Sequence, residues 1–123
     1  MFRRGQRTAV HEAVNEKAEA LLALCGASLR EGTVLIAQKD EELLGVAVLR
    51  LHAGEAEVIA LVTDPNHRHR GVGRQLVLEM SRRARLAGCA RLRVRISKTE
   101  DGVVGFFRGL GFDDTHLALD LTL

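Results

Sequence analysis

The sequence predicts one domain of the α/β class, α+β in type, with a mixed, mostly antiparallel sheet flanked by helices. Three observations predict it. Short apolar segments at 34–37, 43–51 and 55–63 follow one another with turn residues between them and read as an antiparallel meander. An amphipathic segment at 73–87 then separates the third of these from an alternating segment at 91–97, and a crossover through a helix makes those two strands parallel. The 123 residues, with neither repeat nor linker, are enough for one domain, 1–123, with one core.

Taken in order, the elements begin with a helix from Thr8. Val10, Val14, Ala18, Leu21, Leu22 and Cys25 recur at helical spacing, Thr8 is placed to cap them and Gly26 to stop them. A further helical turn covers 27–31. The run Lys39-Asp40-Glu41-Glu42 turns the first strand into the second, and His52-Ala53-Gly54 turns the second into the third. Pro65, the only proline, ends the third strand because it cannot donate to a ladder. In the main helix, Leu76, Val77, Met80, Ala84 and Ala87 line one face, and Gly88 follows its end. The strand at 91–97 puts Leu92, Val94 and Ile96 on one face and Arg91, Arg93 and Arg95 on the other. A short helix at 102–110 and a strand at 117–121 complete the chain.

Composition excludes several classes. No apolar run approaches the roughly 18 residues of a membrane span, and no signal peptide is visible, so a cytoplasmic protein is the default. Cys25 and Cys89 lack metal or redox spacing and read as buried free thiols; no metal is expected. Charge is uneven: ten Arg or Lys and one acid lie between Pro65 and Lys98, so an anionic partner is expected there. Aromatics are 3% of the chain, too few for base stacking, and the arginines form no single helical stripe, which argues against nucleic acid.

The run Arg68-His69-Arg70-Gly71-Val72-Gly73-Arg74 carries the first functional signal. It lies between a strand and a helix, so its backbone N–H groups and the helix N-terminus converge on one spot, an anion site suited to a pyrophosphate. Gly71 and Gly73 lack a β-carbon and let phosphate oxygens approach the backbone. Arg68, Arg70 and Arg74 add charge, and His67 and His69 sit in the same loop.

The element order, together with two motifs, resembles the GCN5-related N-acetyltransferase (GNAT) superfamily. Val62-Thr63-Asp64-Pro65 followed by Arg68-His69-Arg70-Gly71-Val72-Gly73 is similar to its V-x-P segment and R-x-x-G-x-G acyl-CoA loop; Phe106-Phe107-Arg108-Gly109-Leu110-Gly111-Phe112 is similar to its F-Y-x-x-x-G-F ending. The resemblance covers 34–123. It implies acetyl-CoA as cosubstrate and acetyl transfer to a primary amine by direct attack in a ternary complex. It also implies central strands that splay, with the backbone of Leu61, Val62 and Thr63 pairing with the pantetheine arm and the amides of His69 to Arg74, Val72 among them, cradling the pyrophosphate.

This chain departs from the family's pattern at three places. Phe107 stands where many relatives place a tyrosine that protonates the leaving thiolate, so the resemblance puts it among the cofactor-binding residues, with core packing as the other reading; the chain has no tyrosine at all. Glu100 stands where relatives often place an asparagine that holds pantetheine or substrate; a carboxylate there accepts hydrogen bonds only. The N-terminal region is short, with a helix in place of the usual first strand, so the strand at 34–37 is expected to have an open edge that invites a homodimer. Glu57, on the third strand with Ile59 and Leu61 if alternation holds, is the first candidate for the base, and Glu55 the competitor. The acceptor is a small-molecule or protein amine, acidic if the face of Arg93 and Arg95 opens to the cleft. The losses at Phe107 and Glu100 motivate an alternative, an acyl-CoA-binding sensor without catalysis.

Overall fold

The computed structural model describes residues 8–24, 26–65, 71–95, 101–115 and 118–123. Seven strands form one sheet in the order β1-β2-β3-β4-β5-β7-β6. They are β1 (Ala9–Glu12), β2 (Thr33–Lys39), β3 (Glu42–His52), β4 (Glu55–Thr63), β5 (Arg91–Arg95), β6 (Asp113–Thr115) and β7 (Ala118–Thr122). The described helices are α1 (Glu16–Ala23), α2 (Val72–Leu86) and α3 (Asp101–Gly109), with a 3-10 turn at Leu29–Glu31. Among the described residues, only β4 and β5 pair in parallel.

The meander forms as its sequence requires. The β3–β4 hairpin closes on Ala53 and Gly54, whose φ values of 51° and 80° give the two-residue turn that matches the twist of the strands. The core lies on both faces of the sheet. On one, α2 and α3 pack Leu76, Val77, Met80, Val104 and Phe107 against Leu35, Ala47, Leu49, Val58, Leu92 and Val94. On the other, α1 packs Ala18 and Leu22 against Val34, Ile36, Val46, Val48 and Ala60.

The N-terminus corrects the expected helix from Thr8. Residues 9–12 are a strand paired antiparallel with β2, from Ala9↔Gln38 to Glu12↔Leu35. Asn15, not Thr8, caps α1, its side-chain oxygen accepting from the Ala18 amide at 2.7 Å. The apparent helical spacing joined residues that go to opposite sides of the sheet, since Val10 packs on the α2 side while Ala18 and Leu22 pack under α1. One helix cannot serve both faces, and pairing with the β2 ladder outweighs propensity. The strand at 34–37 is therefore covered by β1, and the open edge that suggested a homodimer does not exist there. The strand β6 was not expected: its three residues are exposed and polar, and leave no alternation to read.

Candidate active site

The site begins where the described pairing of β4 with β5 ends. The parallel pairing of β4 with β5 runs only through Ala56↔Leu92, Glu57↔Arg93 and Val58↔Val94. Past Val58, β4 continues along β3 to the pair Thr63↔Gly45, with no further β5 partner among the described residues. At the same place the β3 ladder skips a residue: Val48 pairs with Ala60 and Leu49 with Val58, which leaves Ile59 as a bulge. The bulge breaks alternation. Val58 and Leu61 pack on the α2 side, Ile59 and Ala60 on the α1 side. Glu57 therefore shares a face with Ile59 but not, as strict alternation predicts, with Leu61.

The N-terminus of α2 stands over this open segment. Gly45 makes the approach close, because a Cβ there would lie 2.9 Å from Val72 Cγ1, 3.0 Å from the Val62 carbonyl oxygen and 3.2 Å from Leu76 Cδ1. Gly45 was not singled out from the sequence, although a glycine inside an apolar strand is a sign of close backbone approach. Gly71 is the N-cap of α2 at φ 72°, left-handed, and among the described residues no side chain caps the helix. No acid lies in the first turn either. The first N–H groups of the helix, those of Val72, Gly73 and Arg74 among them, have no intrahelical partner, and the dipole there favours an anion.

The two glycines of the loop have separate reasons. At Gly71 a Cβ would meet nothing within 4 Å, so only its positive φ demands glycine. At Gly73 a Cβ would lie 3.1 Å from Phe106 Cζ, so this glycine also serves the contact between α2 and α3.

Phe107 is 3% exposed and belongs to the core on the α2 side. Its ring meets those of Phe106 and Phe112 edge-on, each at 5.1 Å between centroids. Its surface is spent on packing, which leaves little for a ligand. Cys89 is a buried free thiol as expected. Arg68, His69, Arg70 and Glu100, with His67 and Cys25, lie outside the described residues.

On the face opposite α2, the charged residues of β3, β4, β5 and β7 assemble. Glu57 gives one oxygen to each of two arginines: Oε1 accepts from Arg50 Nη2 and Oε2 from Arg95 Nε, both at 3.0 Å. Asp120 accepts a fork from Arg93, at 2.8 Å from Nε and 3.0 Å from Nη2, and lies 3.7 Å from Arg91 Nη1. The Arg93 hydrogen bonds hold the Asp120 carboxyl below the usual carboxylate range in spite of its burial, and Asp120 in turn raises Arg93. These groups surround a groove of about 270 Å³, lined by Arg50, Glu57, Arg91, Arg93 and Arg95, with His52 and Glu55 at its hairpin end. Arg50 and Asp120 were not singled out from the sequence; Arg50 meets Glu57 across the β3–β4 hairpin, and Asp120 meets Arg93 across the β5–β7 pairing, 27 residues away.

The sequence matches the model of the Acetyltransferase (GNAT) family over residues 2–112. The chain belongs to the GNAT acetyltransferase family. No curated protein matches it. Solved structures share the GNAT fold at low identity. An acetyltransferase from Bacillus subtilis in complex with CoA is 20% identical with a TM-score of 0.78, over 95% of this chain and 98% of that one. An IAA acetyltransferase from Bacillus cereus is 15% identical with a TM-score of 0.83, over 95% and 100%. A GNAT family acetyltransferase from Elizabethkingia anophelis with acetyl-CoA bound is 16% identical with a TM-score of 0.78, over 94% and 98%. Among the described residues of this GNAT domain, no group of three or more His, Cys, Asp or Glu is placed to hold a metal ion, and no helix is long and apolar enough to cross a membrane.

Proposed function

We propose that this GNAT domain transfers an acetyl group from acetyl-CoA to a primary amine by direct attack in a ternary complex. One observation carries the reading: among the described residues, the N-terminus of α2 has no side-chain cap and is seated by Gly45 over the length of β4 that has no β5 partner. That pairs an anion site with a strand edge that has no partner among the described residues, and coenzyme A has both complements, a pyrophosphate and an amide-bearing arm. The neighbours that hold CoA and acetyl-CoA support it. In this reading the backbone of Leu61, Val62 and Thr63 takes the pantetheine arm. The first-turn amides at Val72, Gly73 and Arg74, with Gly71, take the pyrophosphate, and Arg68, His69, Arg70 and Glu100 complete the cofactor contacts.

The reaction asks little more of the chain. The ammonium must lose a proton before the amine attacks the thioester carbonyl; the C–N bond forms, the C–S bond breaks and CoA leaves as thiolate. Glu57 is the proton acceptor, directly or through water. Each of its oxygens accepts one arginine hydrogen bond, and a carboxylate has about four lone-pair sites, so capacity remains. Phe107 cannot protonate the thiolate; with a thiol pKa of about 8.5, solvent can. Phe107 and Glu100, in place of the family's tyrosine and asparagine, favour a second reading, an acyl-CoA sensor without turnover.

Calorimetric titration with acetyl-CoA, followed by CoA release over a panel of primary amines, tests both. Saturable binding with CoA release on at least one amine is expected. Binding with no release on any amine selects the sensor, and absence of binding overturns both.

A further inference from the structure

We infer that the arginine-lined groove on the open face of the sheet recognises the carboxylate of an amine acceptor; the inference rests on the acetyl-transfer reading of the cleft. Four guanidiniums, those of Arg50, Arg91, Arg93 and Arg95, surround it, against the three carboxylates Glu55, Glu57 and Asp120. Only Arg93 is matched by a fork on one carboxylate. Arg50 and Arg95 each lend a single N–H to Glu57, and Arg91 meets Asp120 only at 3.7 Å. These three side chains are 51%, 65% and 57% exposed. Most of their donors are therefore directed to no protein acceptor among the described residues, and a guanidinium pairs best with a carboxylate.

The position of the groove identifies what it would bind. It lies on the face opposite α2, because Arg50, Glu57, Arg93 and Arg95 alternate with Leu49, Ala56, Val58, Leu92 and Val94, which pack toward α2. The phosphates of the cosubstrate belong at the N-terminus of α2, on the other side. Arg95 directly follows Val94, the last β5 residue paired with β4. The groove runs along the paired stretch of β4 and β5 and ends at Arg95, on the face opposite the helix end assigned to the cosubstrate. Its volume of about 270 Å³ is at the small end for a ligand pocket, suited to an amino-acid-sized acceptor or to the terminal residue of a peptide.

Binding is read first without turnover. Glutarate is titrated into the CoA-saturated protein and followed by the Nε–Hε NMR resonances of the arginines. Saturable shifts at Arg91 and Arg95, lost in Arg95→Gln, are expected; no saturable shift at either overturns the inference. Turnover is then compared for glutamate against glutamic acid diamide, and for O-phosphoethanolamine against ethanolamine. The carboxylate-bearing amine is expected to exceed its amide by about tenfold in kcat/KM, through KM, and Arg95→Gln to bring the ratio near one. Arg82→Gln, on the outer face of α2, leaves the ratio as it was. A ratio near one in the unaltered protein overturns the inference while transfer stands. A preference for phosphate that ignores carboxylate also overturns it. Glutarate bound at the groove with no amine acetylated supports the anion site and overturns the transfer reading instead.

Discussion

A Cβ placed on Gly73 would stand 3.1 Å from Cζ of Phe106, so the first turn of α2 and a ring on α3 share one contact. The helix end proposed to take the pyrophosphate is thereby in contact with the aromatic ending of the same domain. The two motifs that define the family resemblance touch each other.

Gly73→Ala is expected to displace the Phe106 ring by a few tenths of an ångström and loosen that contact. Acetyl-CoA affinity should fall several-fold with little loss of thermal stability, because the ring is partly exposed and has room to move. Calorimetry beside a thermal melt checks it; unchanged affinity would mean that the contact does not support the cofactor site.

Gly45→Ala meets harder neighbours. The added methyl faces Val72, Leu76 and the Val62 carbonyl at once, all in buried or half-buried surroundings. Overpacking of this kind costs about 1–3 kcal/mol, and it also lifts the N-terminus of α2 off β4. Both the unfolding midpoint in urea and the acetyl-CoA affinity should drop. A variant that loses stability but binds acetyl-CoA normally would separate the helix seat from the cofactor site.

Glu57→Gln removes the proposed proton acceptor while keeping its size. General-base loss typically costs about 10²–10⁴ in rate, so kcat should fall while the affinity for acetyl-CoA holds. The deficit should narrow at high pH, where the free amine is already abundant. A pH–rate profile that runs parallel to that of the unaltered protein would assign Glu57 to holding Arg50 and Arg95 alone.

Asp120→Asn tests the one fully forked pair. The native carboxyl lies below its unfolded value of about 3.9. A lowered folded pKa gives stability that is complete above the unfolded value and is lost as pH falls through the folded one. The melting temperature of the unaltered protein should therefore exceed that of the variant by a constant several degrees at pH 5–8. The gap should close below about pH 4. A gap that does not depend on pH would mean that the pair adds nothing by its charge. Glu79, held low by Arg82 and Arg83, adds a second loss in the same acid range.

Phe107→Ala should cost about 3–5 kcal/mol, the range for deleting a buried aromatic side chain, since the ring is 3% exposed between Phe106 and Phe112. Urea unfolding measures it. A loss below 1 kcal/mol would mean that the ring is not core, and would return it to the cleft as a cofactor contact.

By itself the sequence determined the meander, the crossover through α2 and the parallel pairing that follows, because each rests on local periodicity and on turn residues whose effect is confined to a few neighbours. Strand β4 runs over Glu55–Thr63 as its pattern predicts, and the burial of Phe107 follows from its place in an apolar run. What it could not determine depended on contacts between distant residues. Whether residues 9–12 become strand or helix turned on the edge of β2, which local spacing does not contain. The face that Leu61 presents turned on a one-residue skip opposite Val48 and Leu49. The partners of Glu57 and Arg93 were set by the register of four strands, which places Arg50 opposite Glu57 in the hairpin and brings Arg95 and Asp120 from remote parts of the chain. Periodicity says which side of its own element a residue faces; only the packed sheet decides what it finds there.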